Sequence, residues 1–118
     1  MEIKVYKLYE AKTDLYAPGV TRKIFVDEKT PTQSLTLGYG IFEVGAKSGL
    51  HSHDTEEGFF IVHGYGAVVD AKGNEYKAEP GTVLYVPANC AHEFKNTSDA
   101  PLIFFYVHPK AKVTSTRF

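Results

Sequence analysis

Three histidines and one glutamate carry the chemistry that this sequence offers: His51, His53, Glu57 and His92. His51 and His53 are two residues apart. On a strand that spacing puts both imidazoles on one face, with Cα atoms about 7 Å apart, and one metal ion can be reached by both. Glu57 keeps the same odd-number parity and joins that face if no bulge intervenes at Asp54-Thr55. His92 lies on a distant segment and is expected to close the set from a neighbouring strand. Three neutral imidazoles and one carboxylate suit one divalent transition metal ion: Mn, Fe, Co, Ni or Zn. Four ligands on a roughly octahedral ion leave positions open for water or substrate. A His-x-His pair alone is more often two solvent-facing side chains, so the surrounding residues decide.

The elements that position these side chains must be strands. The 118 residues include eight Tyr and eight Phe, while ten Gly and six Pro cut the chain into short pieces. Helical periodicity is almost absent. Short β-rich runs with regular punctuation predict an all-β sandwich or barrel, and the length predicts one domain over residues 1–118. The first strand is expected over residues 3–9 and the second over 20–26. A long third strand is expected over 34–44, where Gly38 and Gly40 mark a bulge or a bend. Residues 45–49 read as a loop, and 57–62 as a strand closed by His63-Gly64-Tyr65-Gly66. Residues 67–70 and 75–78 read as a hairpin around Lys72-Gly73-Asn74. A strand over 82–86 stops at Pro87, and 92–95 and 102–108 are the last two. The polar tail, 110–118, is expected to fray or to dock on a partner.

With its neighbours, the quartet resembles the two signatures of the cupin superfamily. The first runs Gly45, five residues, His51-Ser52-His53, three residues, Glu57, six residues, Gly64. The second runs Gly81, five residues, Pro87-Ala88-Asn89, two residues, His92, three residues, Asn96. Asn89 stands where the family usually has glycine. Asparagine is the next best residue for a left-handed backbone, so the turn is expected to survive. The resemblance implies a cupin-type jelly-roll β-barrel, the double-stranded β-helix. It implies that His51, His53, Glu57 and His92 bind one metal ion inside the barrel mouth. One pair of motifs, 45–64 and 81–96, makes this a single cupin, and the resemblance implies a homodimer paired through N-terminal strands. Small cupins of this pattern include dioxygenases, decarboxylases, isomerases and lyases, and the fold does not choose among them.

Around the quartet, Glu56 is a rival carboxylate, but its register breaks parity with His53, and Glu57 is favoured. Phe59, Ile61 and Phe94 follow the ligands on the inward face, as a dry cavity wall or as ordinary core. On the third strand either Tyr39 and Ile41 or Gly40 and Phe42 point inward. Tyr106 and His108 end the last strand, where either can offer a proton or a hydrogen bond at the mouth. His63 is expected on a surface turn, and Cys90 as a small buried hydrophobe. Asn96 is expected to hold its loop by side-chain hydrogen bonds. Arg22 and Arg117 are the only arginines, and a substrate carboxylate can use Arg22 or a lysine, or bind the metal directly.

Composition narrows the functions. Thirteen basic and fourteen acidic residues leave a net charge of −1, against a dedicated nucleic-acid binder. No apolar run approaches the roughly 20 residues of a membrane helix. The N-terminus lacks a signal-peptide layout and the single Cys90 allows no intrachain disulfide, so cytoplasm is the expected location. The function expected is a metal-dependent enzyme acting on a small oxygen-rich molecule, an organic acid or sugar derivative. The alternatives are a non-catalytic binding module for such a molecule and a storage-type relative without turnover.

Overall fold

The computed structural model describes residues 1–30, 32 and 34–118. Its strands are β1 (Lys12–Ala17), β2 (Val20–Val26), β3 (Thr36–Phe42), β4 (His51–His53), β5 (Glu57–His63), β6 (Gly66–Asp70), β7 (Glu75–Ala78), β8 (Val83–Val86), β9 (His92–Asn96), β10 (Leu102–His108) and β11 (Ser115–Arg117). A 3-10 turn, Leu8–Glu10, precedes them. One sheet has six strands in the order β1-β2-β3-β10-β5-β8 and the other five in the order β11-β4-β9-β6-β7. Every strand pair is antiparallel. The two sheets face each other as the expected all-β jelly roll.

Period-2 alternation sorts the inner from the outer side chains. The inner faces also grade from apolar to polar along each strand. Along β10 the inward side chains are Leu102, Phe104, Tyr106 and His108, all buried. Along β5 they run Ile61, Phe59, Glu57, and along β9 Asn96, Phe94, His92. Four phenylalanines fill the middle: Phe94 stacks on Phe104 at 4.5 Å, and Phe59 meets both edge-on at 5.0 Å. Phe42 closes the group, 5.3 Å from Phe94. Each such ring contributes about 1.5–3 kcal/mol by leaving water. The polar ends of the same strands meet beyond this aromatic layer, and the core thereby positions the site.

Three expectations differ from the structure. Residues 3–9 form no strand; Ile3 and Val5 are 94% and 76% exposed. The apolar alternation there is real, but the segment pairs with no strand and its side chains stay exposed. Gly38 and Gly40 do not break β3, whose register with β10 runs unbroken from Phe42↔Leu102 to Thr36↔His108; the irregularity falls on the facing strand β2, between Ile24 and Val26 opposite Gly38 and Leu37. They make room instead. The Tyr106 ring lies over Gly38, and a methyl group at Gly40 would stand 2.6 Å from Phe104 Cζ. The third concerns the tail, which is not frayed throughout: β11 pairs with β4, Ser115 opposite His53 and Arg117 opposite His51.

Two turn residues behave as expected. Asn89 has φ of 61°, the left-handed backbone that its side chain tolerates. Its N–H donates to the His53 carbonyl at 2.7 Å. Asn96 is buried, and its Nδ2 donates to the carbonyls of Phe42, Glu43 and Ala100 while its Oδ1 accepts from Ser98.

Candidate metal centre

His51 and His53 sit on β4, a three-residue strand whose side chains are all buried. His92 lies directly opposite His51 on β9. Glu57 comes from the other sheet. The chain crosses between sheets over 54–56, so Glu57 faces the histidines across the interior rather than sharing their face. The same-face expectation for Glu57 therefore does not hold, although its carboxylate does lie beside the histidines. Glu56 points outward, where it accepts a hydrogen bond from Tyr85 Oη at 2.6 Å.

The polar atoms converge in two overlapping groups. His51, His53 and His92 form one, and His53, Glu57 and His108 form the other, with the ligand atoms of each within 4.8 Å of one another. His53 Nε2 lies 3.3 Å and His92 Nε2 3.6 Å from Glu57 Oε1. The His51–His92 and His51–His53 ring centroids are 4.4 and 4.8 Å apart.

The ring orientations are fixed from behind. His51 Nδ1–H donates to the Gly49 carbonyl at 2.8 Å, and His92 Nδ1–H to the Cys90 carbonyl at 2.9 Å. His53 Nδ1 meets Ser115 Oγ of the tail strand at 2.7 Å. A donated Nδ1–H leaves Nε2 as the lone-pair atom, and such backing is how protein scaffolds orient metal-binding imidazoles. Burial pushes His51 down to about 4, with the His92 and His53 rings adding to it against the Gly49 carbonyl. Its Nε2 is therefore a free lone pair at neutral pH.

His108, expected to offer a proton or a hydrogen bond at the mouth, completes the cluster. Its Nδ1–H donates to the Glu56 carbonyl at 3.0 Å, and its Nε2 lies 2.9 Å from Glu57 Oε2. Burial alone would raise the Glu57 carboxyl. The ring nitrogens of His108, His53 and His92 outweigh burial and hold it well below the usual range. Burial alone would lower His108, and the Glu57 carboxylate outweighs it and raises His108.

Whether a cation fits can be read from what stays unpaired. Glu57 Oε1 and His92 Nε2 are buried and make no hydrogen bond. An anionic oxygen and a lone-pair nitrogen, 3.6 Å apart, leave each other unsatisfied, and a shared cation satisfies both. The donor set therefore fits a divalent transition ion.

The cavity in front of the cluster has a volume of about 50 Å³, room for an ion and a few waters. Its far wall is made by Phe42, Phe59, Phe94 and Phe104, and its rim by Tyr16, Arg22, Ser48 and Tyr106. Tyr16 was missed in the sequence, because β1 reads Lys-Thr-Asp-Leu-Tyr-Ala with no clean alternation. Burial raises the Tyr16 phenol, against Arg117 and Arg22, which lower it. Arg22 is held by Asp14 at 2.9 and 2.6 Å. Two other residues lie elsewhere. His63, expected on a surface turn, is the exposed last residue of β5, and its ring nitrogen bonds to the Pro101 carbonyl. Cys90 lines a separate cleft with Tyr76 and Tyr85 and reaches the centre only through its carbonyl.

Comparison with known proteins fits this arrangement. A family model described as Cupin domain matches residues 38–108, more than half of the chain. The chain belongs to the cupin family. Over 68 residues it is 35% identical to a glucose-6-phosphate isomerase of Thermococcus litoralis, a match covering 53% of this chain and 36% of that protein. The chain thus spans about a third of the length of the curated relatives it matches. The polyketide cyclase RemF from Streptomyces resistomycificus superposes with a TM-score of 0.81 at 17% identity, over 99% of this cupin and 87% of that chain. Bacillus subtilis oxalate decarboxylase, whose Mn(II) centres have been studied, superposes with a TM-score of 0.80 at 23% identity, over 96% of this cupin and 31% of that chain. At these identities the superpositions establish a shared fold.

Proposed function

We propose that this cupin is a metal-dependent enzyme acting on a small oxygen-rich molecule, an organic acid or sugar derivative. His51, His53, His92 and Glu57 would hold one divalent transition ion, Mn, Fe, Co, Ni or Zn. The observation that carries the reading is the pair of buried, unpaired atoms, Glu57 Oε1 and His92 Nε2, in a cluster of backed imidazoles. When bound, such an ion supplies Lewis acidity to a coordinated oxygen. The chain's own residues do the rest. His108 holds one Glu57 oxygen and leaves the other facing the histidines. The phenylalanine wall keeps bulk water from the inner side, which strengthens charge interactions within. Arg22, itself paired with Asp14, lines the same cavity and can donate an N–H to an anionic substrate.

The known activities of similar proteins, isomerase, decarboxylase and cyclase, span the chemistry that such a centre supports. One observation favours the alternative of a non-catalytic binding module: Glu57 is the sole acidic side chain lining the cavity among the described residues. A panel of keto acids, oxalate, uronates and sugar phosphates, run with Mn, Fe and Zn forms and with O2 uptake recorded, separates the two. Turnover of one substrate supports the enzyme. Tight retention of a compound without turnover supports the binding module.

We also propose that two copies pair. The outer face of the six-stranded sheet carries Phe60, Val62, Val83 and Tyr85, each at least 47% exposed, and the unpaired residues 1–7 add Ile3 and Val5. Light scattering is expected to give twice the chain mass, and the mass of one chain for Phe60→Asp. A wild-type monomer would refute the pairing.

A further inference from the structure

The described residues contain three buried side-chain atoms without a hydrogen-bond partner, Glu57 Oε1, His92 Nε2 and Tyr16 Oη, and all three belong to residues that line one cavity. The first two are explained by a shared cation. The third is not, because a neutral phenol is a poor ligand beside three imidazoles and a carboxylate. Buried hydroxyls are paired in folded proteins, and an exception asks for a reason.

Tyr16 is also held firmly. Its ring stands edge-on to His51, centroids 5.6 Å apart. The guanidiniums of Arg22 and Arg117 pack over it, 4.6 and 4.3 Å from its centroid. Each guanidinium is itself anchored, Arg22 by Asp14 and Arg117 by the carbonyls of Ser48 and Tyr16. Side chains from three other strands thus pack around one phenol at the wall of the metal cavity: Arg22 of β2, His51 of β4 and Arg117 of β11. The chain invests this packing in a hydroxyl that it does not itself use.

We propose that Tyr16 Oη is reserved for the ligand: it donates a hydrogen bond to an anionic oxygen of a small carboxylate or sugar-acid molecule seated in front of the cluster. This rests on the functional reading above and names a contact residue within it. The hydroxyl contributes nothing to folding, since its pairing awaits the ligand, and it contributes directly to ligand affinity. The two effects have opposite signs in one variant, which a merely structural tyrosine would not show.

The test compares wild type with Tyr16→Phe. Metal-free melting is expected to be the same or higher for Tyr16→Phe, because the variant removes a buried unpaired group. Mn(II) affinity is expected to be equal. Calorimetric titration of the Mn(II)-loaded proteins with oxalate, pyruvate and glucuronate is expected to show at least about tenfold weaker binding by the variant for whichever anion wild type binds. A melting temperature several degrees lower overturns the proposal, since the hydroxyl would then be paired within the protein. Equal anion affinity overturns it as well. A wild type that binds Mn(II) but none of the three anions refutes the acid-ligand reading of the function, and this proposal with it.

Discussion

His108 Nε2 lies 2.9 Å from Glu57 Oε2, and both groups are buried. With Nδ1–H given to the Glu56 carbonyl, both ring nitrogens face acceptors, so both carry protons and the ring is an imidazolium. In the metal-free protein this cation compensates the Glu57 charge. It also orients the carboxylate, with Oε2 taken and Oε1 turned toward His53 and His92.

Removing that partner should therefore hurt the metal-free protein most. His108→Leu leaves a buried charge unpaired and is expected to cost about 3–5 kcal/mol in urea unfolding without metal. His108→Gln, which restores an N–H at a similar reach, should recover part of it. Metal loading should narrow the gap, because an ion then compensates Glu57. The pH dependence has a definite sign. The His108 pKa is raised by folding, so its contribution is complete below the unfolded value, about 6.5, and is lost as pH rises through the folded value. The gap between wild type and His108→Leu should be full near pH 6 and close at alkaline pH. A gap constant to pH 9 would contradict the pairing.

Glu57 and Glu56 are adjacent in sequence and opposite in role. Glu57→Ala is expected to lower metal content sharply, and Glu56→Ala to leave it unchanged, since the Glu56 side chain is exposed and bound to Tyr85. Elemental analysis of both purified variants decides this, and the reverse pattern would move the site.

Gly40 exists for the Phe104 ring. Gly40→Ala is expected to destabilise by about 1–3 kcal/mol, because the new methyl meets a ring locked among Phe42, Phe59 and Phe94. Thermal or urea unfolding measures it. A neutral result would show that the aromatic layer can shift.

Asn89 tests the turn that leads to His92. Asn89→Gly is expected to be neutral in stability, and Asn89→Ala to cost about 1–2 kcal/mol, because alanine tolerates a left-handed backbone poorly. Equal stability of the two variants, read by urea unfolding, would show that the turn has relaxed elsewhere.

Much of this was legible in the sequence, for physical reasons. Strict alternation on β5, β9 and β10 announces which side chains face inward, and the spacing around His51 and His92 places turns where the strands end. What was missed depends on which strands become neighbours. His108 meets Glu57 only because β10 pairs with β5 in the register that sets Val107 opposite Gly58. Tyr16 meets His51 only because the last strand, carrying Arg117, pairs with β4 and bonds back to the Tyr16 carbonyl. The glycines of β3 read as breaks because a missing side chain looks the same whether the backbone bends or a ring lies over it. The apolar alternation of residues 3–9 marks a strand-forming segment, but alternation does not by itself supply the partner strand and burial that a ladder needs.

The most direct measurement is an anomalous difference map from crystals soaked in Mn(II) or Zn(II). One strong peak per chain is expected, in bonding contact with the ring nitrogens of His51, His53 and His92 and with a Glu57 oxygen. A featureless cavity after soaking, or a peak held by other side chains, would contradict the account.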